Sequence, residues 1–274
     1  MPKSFFKQSC FGKPISAMAA ATILALGLCG CQTTAPSDIT GSLGDIADKS
    51  QIATSRNDLD RYRERFRANP DDAEAALQYG KALRATGQRS QAVAMLEQAT
   101  IAHPGNKTLL AGYGRALADN GNFQQAFDVL SQAHSPDDPD WRILSAQGAA
   151  LDQLGRFDDA RQYYTSALRI APDEPTVLSN LGLSYVLSKD LPKAEEVLRR
   201  AYGQNGADPR VRANLAVVVG LQGRMTEAET LMKAGLPAEQ ADANVAELKR
   251  LLSRTARAQR GMERLPVASR ATQD

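Results

Sequence analysis

Five stretches share one layout: AEAALQYGKAL at residues 73–83, KTLLAGYGRAL at 107–117, WRILSAQGAAL at 141–151, PTVLSNLGLSY at 175–185 and PRVRANLAVVV at 209–219. They begin 34 residues apart, with no insertion or deletion between them. Counting from Ala73, Lys107, Trp141, Pro175 and Pro209, the eighth position holds Gly80, Gly114, Gly148, Gly182 and Ala216. The twentieth holds Ala92, Ala126, Ala160, Ala194 and Ala228. Apolar residues keep the same register, with Leu83, Leu117, Leu151, Tyr185 and Val219 eleventh, and Leu96, Leu130, Tyr164, Leu198 and Met232 twenty-fourth. Small residues recur twenty-seventh, at Ala99, Ala133, Ala167, Ala201 and Gly235. Gly87, Gly121, Gly155 and Gly223 divide each repeat in two, where a residue free to take positive φ ends a helix. Lys189, followed by Asp190, departs from that rule in the fourth repeat. Pro70, Pro104 and Pro172 close second halves, because proline cannot extend the helical hydrogen-bond ladder. Pro136 and Pro139 stand there in the second repeat, and Gly203 and Gly206 in the fourth. Independent amphipathic helices would not hold small residues at two fixed places; a pair of helices crossing closely would.

A helix pair repeated every 34 residues with this pattern resembles the tetratricopeptide (TPR) repeat. The implied fold is all-α, a right-handed superhelical TPR solenoid in which the first helices line a concave groove. The expected repeats span 73–106, 107–140, 141–174, 175–208 and 209–242, the last degenerate. Leu59, Tyr62 and Phe66 recur at helical spacing and predict an N-terminal capping helix over 57–72. Val245, Leu248, Leu251 and Leu252 predict a C-terminal one over 243–260, followed by a disordered tail over 261–274. Its outer face is basic, with Lys249, Arg250, Arg254, Arg257, Arg260 and Arg264. It reads either as a docking surface for an acidic partner or lipid headgroups, or as a solvated helix end.

The start of the chain has a different character. Lys3, Lys7 and Lys13 precede an apolar run from Ile15 to Leu28, which is too short for a comfortable membrane span. Residues 1–30 therefore read as a signal peptide. Leu28-Cys29-Gly30-Cys31 resembles a lipobox, which implies diacylglycerol on Cys31 and cleavage just before it. Residues 31–56, with Pro36, Gly41 and Gly44, carry too little apolar surface to offset their ordering entropy and read as a flexible tether.

The whole chain has 33 Lys and Arg against 31 Asp and Glu. Because the leader holds Lys3, Lys7 and Lys13 and no acid, the remainder is nearly neutral and nothing global points to nucleic acid. Cys10 and Cys29 lie in the leader, so with Cys31 acylated no thiol is left for a disulfide, a metal or nucleophilic catalysis. No cofactor beyond the covalent lipid is implied. His103 and His134 fall at repeat junctions, and Asp137, Asp138 and Asp140 in a proline-rich turn without EF-hand spacing. No phosphate loop, zincin motif or nucleophile elbow is present, so the sequence does not read as an enzyme.

Binding residues are then sought in the groove. Asn180 and Asn214 share one position on the first helices of repeats four and five. An amide there either holds an extended peptide backbone or ties one repeat to the next. Lys81, Arg84, Arg115, Arg142 and Arg210 also map to groove-facing positions and suit carboxylates.

The last repeat, DPRVRANLA at 208–216 and GLQGR at 220–224, is followed by Leu236-Pro237 and Ala243-Asn244-Val245. With the lipobox and the DITGS stretch at 38–42, this resembles TadD, the TPR lipoprotein family of tight-adherence (Tad/Flp) pilus systems. Gly235 and Glu247 depart from that pattern, where an alanine and an aromatic residue are usual. The resemblance implies a pilotin-like assembly factor in pilus biogenesis and secretion, with the Tad secretin or another pilus component as protein partner. Gln32 after the acylated cysteine implies outer-membrane sorting, with the body facing the periplasm. The alternatives are a TPR lipoprotein of another envelope machine (outer-membrane protein insertion or polysaccharide export) or a periplasmic enzyme regulator.

Overall fold

The computed structural model describes residues 49–204 and 208–263. The signal peptide, Cys31, most of the tether and residues 264–274 lie outside the described residues. Within them the chain forms twelve α-helices in an unbroken series. A leading helix α1 (Lys49–Ala68) is followed by five antiparallel pairs. These are α2 (Ala73–Ala85) with α3 (Arg89–Ala102), α4 (Lys107–Asp119) with α5 (Phe123–Gln132), and α6 (Trp141–Gln153) with α7 (Phe157–Ile170). Then come α8 (Pro175–Leu187) with α9 (Leu191–Gln204) and α10 (Pro209–Leu221) with α11 (Met225–Lys233). A long helix α12 (Ala238–Glu263) closes the series. None of these helices is long and apolar enough to cross a membrane.

Each first helix starts on a side-chain cap. Asp72, Asn106, Asp140, Glu174 and Asp208 accept hydrogen bonds from backbone N–H groups of the first turn, each bond satisfying a donor that has no helical partner. Each first helix stops at a left-handed residue. Gly87, Gly121, Gly155 and Gly223 have φ between +76° and +88°, and Lys189 takes the same turn at φ +63°. The next N–H closes the turn on the carbonyl five residues back, as Gln88 does on Leu83 at 2.8 Å and Asp190 on Tyr185 at 2.9 Å.

Within a pair, the eighth residue of the first helix packs under the twenty-fourth of the second. A Cβ placed on Gly80, Gly114, Gly148 or Gly182 would fall 2.6–2.7 Å from Leu96, Leu130, Tyr164 or Leu198. The alanines at the twentieth position are all 0% exposed, so the crossing is closed from both sides. The first helices also pack on one another from repeat to repeat, α2 on α4, α4 on α6, α6 on α8 and α8 on α10. That row forms the inner wall of the array.

Three boundaries differ from the sequence reading. Helix α1 starts at Lys49, inside the expected tether over 31–56: no glycine or proline interrupts residues 45–69, so a helix anchored by Leu59 propagates backward. Helix α12 starts at Ala238, inside the expected fifth repeat and ahead of the cap expected at 243, because Pro237 ends the preceding turn and its carbonyl accepts the Ala241 N–H at 2.9 Å. It also runs three residues into the expected tail, to Glu263. Finally, Gly235 is no packing residue. It lies beyond the end of α11 at φ +71°, so the fifth pair has a short second helix.

Candidate functional site

The seam between repeats decides what the groove can offer. The sixth residue of each first helix lies against the fifth residue of the preceding one. At the α2–α4 seam, a Cβ on Gly112 would fall 2.6 Å from Leu77 Cδ1. At the α4–α6 seam, Ala111 and Ala146 belong to one apolar cluster. At the α6–α8 seam, Asn180 Nδ2 donates to Ser145 Oγ at 3.1 Å, and at the α8–α10 seam Asn214 Nδ2 donates to Ser179 Oγ at 2.8 Å. Asn214 is 8% exposed, and both serines are buried. The two amides are thus engaged in tying repeat to repeat, the second of the two uses the sequence allows. Asn180, half-buried, keeps more contact with solvent than Asn214.

The five cations occupy separate environments. Lys81 and Arg210 are exposed near opposite ends of the row. Arg142 is exposed and lies over the Trp141 ring, 4.4 Å from its centroid, with a guanidinium nitrogen 4.0 Å from Asp140. Arg84 donates from Nε to Asp119 Oδ2 at 2.6 Å, joining α2 to α4. Arg115 is half-buried on α4, and among the described residues it has no carboxylate within ion-pair distance. Burial, and then the nearby charge of Arg84, hold its pKa below the usual guanidinium value. Arg84, Arg115 and Arg142 share an electrostatic neighbourhood with Asp140 and Asp119, whose charges favour the Arg115 cation while the other two arginines oppose it. Lys81 adjoins that neighbourhood on α2, one turn before Arg84, and Arg210 stands apart on α10. Toward the C-terminal end the inner wall becomes apolar, with half-buried Leu183, Val186, Leu187 and Leu221.

Two further polar constellations escaped the sequence reading. In the first, Asp152 on α6 is 7% exposed and accepts hydrogen bonds from Tyr164 Oη of α7 at 2.8 Å and Ser184 Oγ of α8 at 2.7 Å. Burial pushes its carboxyl up to about 6, against the opposing effect of those two donors and of Arg161. Its signal was three exceptions in otherwise regular columns. Tyr164 stands where the other repeats have Leu or Met, Ser184 where they have Ala or Val, and Asp152 where they have Arg, Ala, Val or Gly. In the second, Glu195 of α9 accepts from Arg224 and Arg199, and Arg199 reaches Glu227 of α11. The hydrogen bond from Arg224, with that from Arg199, holds the Glu195 carboxyl at about 2. This network straps the last two second helices together, on the side away from the inner wall. Of the basic C-terminal face, Lys249 pairs with Glu229 at 2.8 Å and Arg250 with Glu247 at 3.4 Å. Among the described residues no three His, Cys, Asp or Glu side chains gather as a metal site.

Two family models described as tetratricopeptide repeat match the sequence, one over residues 77–140, 133–175 and 145–210 and the other over 185–252. The chain is a tetratricopeptide-repeat protein. No curated protein matches it. Solved structures with the same fold include PilW, titled a widely conserved type IV pilus biogenesis factor, at 16% identity and TM-score 0.60 over 80% of this chain and 94% of that one. A thermophilic TPR protein of Thermus thermophilus aligns at 23% identity and TM-score 0.57, covering 66% of this chain and 97% of the other. Pseudomonas aeruginosa PilF aligns at 20% identity and TM-score 0.51, covering 70% and 89%. TPR repeat proteins are typically non-catalytic scaffolds, and their fold mediates protein–protein interaction.

Proposed function

We propose that the chain is an outer-membrane lipoprotein that scaffolds assembly of a tight-adherence (Tad/Flp) pilus, a member of the TadD family. Diacylglycerol on Cys31 would hold it to the periplasmic face of the membrane, and its inner wall would grip the secretin or another pilus component during placement. The observation that carries this reading is how the TadD-like residues lie together. The stretches 208–216, 220–224 and 243–245 are separate in sequence. In the fold they meet in one core, with Ala213, Leu215 and Ala216 of the first stretch clustered with Val245 of the third and Leu221 of the second packed against them. A Cβ on Gly220 would fall 2.7 Å from Leu252 Cδ1, so this core also needs its glycine. PilW, a pilus biogenesis factor by its title, has the same fold.

The test is a deletion strain complemented with the wild-type chain or Cys31→Ser, scored for surface pili and for secretin multimers in outer-membrane fractions. The deletion should lose both, and Cys31→Ser should fail to restore them while losing lipid labelling. Normal pili in the deletion strain would end the pilus role.

A further inference from the structure

We propose that Asp152, Tyr164 and Ser184 form a proton-operated joint between the third and fourth repeats, closed while the Asp152 carboxyl keeps its proton and free to open once it ionises. The device depends on neither the lipid anchor nor the pilus role.

One carboxyl group ties three helices of two repeats together. Its Oδ2 accepts from Tyr164 Oη of α7 at 2.8 Å, and its Oδ1 accepts from Ser184 Oγ of α8 at 2.7 Å. Tyr164 is 1% exposed and Ser184 is fully buried, so water is kept from both sides of the contact. Both donors are neutral hydroxyls, and among the described residues no cation lies within ion-pair distance of Asp152. Arg161 of α7 directs one amino group to Asp158 and the other to Ser188 Oγ at 3.2 Å, with its guanidinium over the Tyr185 ring. Lys193, on the same ring, is paired with Asp190, and Arg156 with Asp159. Arg115 and Asp119 of α4 and Asp128 of α5 exert no effect on the carboxyl, which leaves Arg161 as the one charge that does.

A carboxylate this deep, with only neutral donors in contact, is costly to ionise, and parting the seam to admit water removes the cost. Burial accordingly pushes the carboxyl from 3.8 up to about 6. The closed joint holds the proton more tightly than an open one. Closure is therefore fully favoured below 3.8, and the advantage is lost as pH rises through about 6. Across that window the opening equilibrium should grow about a hundredfold. Two larger apolar cores flank the joint, one with Leu83, Leu96 and Leu117, the other with Leu198, Leu215 and Leu248. Among the described residues Asp152 is the only buried acid, so these cores carry no such proton and move as units about the α6–α8 seam.

The test is hydrogen–deuterium exchange of the full chain purified in detergent, from about pH 4.5 to about pH 7.5, corrected for the intrinsic pH dependence of amide exchange. Amides of residues 147–154 and 180–188 should lose at least about tenfold in protection across the range. Those of α2 and α4, whose seam is Leu77 against Gly112, should not change. Asp152→Asn cannot ionise and should keep one level of protection throughout. Ser184→Ala places there the residue found at Ala116 and Ala150 and removes a donor to the carboxylate, so its midpoint should move to higher pH. Unchanged protection at the wild-type seam would overturn the joint, as would the same pH dependence in Asp152→Asn or an unmoved midpoint in Ser184→Ala. An equal loss of protection in every helix would also overturn it, by making the effect global.

Discussion

The seam between α2 and α4 and the seam between α8 and α10 occupy the same place in the repeat and are built from opposite chemistry. In the first, Leu77 fills the space that Gly112 leaves open; in the second, Asn214 donates an amide proton to Ser179. Both satisfy one geometric demand, that the sixth residue of one first helix meet the fifth of the previous one. The apolar solution leaves no hydrogen bond unmet and tolerates the half-buried cation beside it. The polar solution fixes register through a pair that must stay complete, since a buried hydroxyl or amide left alone costs about 1–3 kcal/mol. The two halves of the inner wall diverge accordingly. The N-terminal half keeps charged groups turned outward, and the C-terminal half uses its polar groups internally and shows apolar side chains.

Grafting one seam into the other is the strongest way to break this comparison. Gly112→Asn alone places a side chain where even a Cβ falls 2.6 Å from Leu77, and it buries an amide with no partner. It should cost about 3 kcal/mol in urea unfolding, combining overpacking with an unsatisfied polar group. Adding Leu77→Ser supplies the partner and the space, and should return at least about 1 kcal/mol relative to the sum of the single changes. Strict additivity in that cycle would show that the two seams are not alternative solutions of one contact.

The repeat was legible because close crossing leaves no choice. Under Leu96, Leu130, Tyr164 and Leu198 only glycine fits, so the eighth column reads through all other variation. The caps were equally legible and went unread: Asp72, Asn106, Asp140, Glu174 and Asp208 recur every 34 residues. Asn180 and Asn214 could be located but not assigned from sequence, because peptide binding and inter-repeat bonding want the same amide at the same position. Only the partners Ser145 and Ser179 separate the two uses. The Asp152 cluster was harder still, because its three members lie on three helices of two repeats. Each alone is an ordinary substitution, and only the fold brings them to one point. Arg115 was found by its position, but that no carboxylate among the described residues pairs with it depends on where Asp119 and Asp140 direct their bonds.

The second prediction concerns the middle of the array, where the buried polar groups begin. The Asp152 carboxyl is raised from 3.8 to about 6, so the folded protein holds this proton more tightly than the unfolded chain does. Its contribution is therefore favourable at acid pH and is lost as pH rises through about 6. Asn in its place keeps an acceptor for Tyr164 and presents an amide to Ser184 Oγ without a charge. Asp152→Asn should be more stable than wild type by about 2 kcal/mol at pH 8, with the difference vanishing near pH 4. Arg161 is the charge acting on the carboxylate, and it should limit the gain without reversing it. A variant destabilised equally at both pH values would mean that the carboxylate is held for its geometry and that the charge is incidental.

The smallest expected effect tests whether the C-terminal half departs from the repeat only where it must. Lys189 takes φ +63° at the turn where the other four repeats place glycine. The hydrogen bonds of the turn are unchanged: Lys189 N–H reaches Val186 at 3.0 Å and Asp190 N–H reaches Tyr185 at 2.9 Å, as Gly155 N–H reaches Asp152 at 3.0 Å and Arg156 N–H reaches Leu151 at 3.0 Å. The backbone is therefore held left-handed by the motif against the preference of a residue with a Cβ, which costs about 1–2 kcal/mol. Glycine removes that strain but enlarges the freedom of the unfolded chain by about 0.4–1 kcal/mol. The balance favours Lys189→Gly by about 0.5–1 kcal/mol, readable as a higher urea midpoint with an unchanged slope. The reverse change, Gly155→Lys, should lose a comparable amount. Should Lys189→Gly instead lower the midpoint, the lysine side chain would be contributing more than its backbone costs. The source of such a contribution would be the apolar stem of the exposed lysine, which glycine lacks.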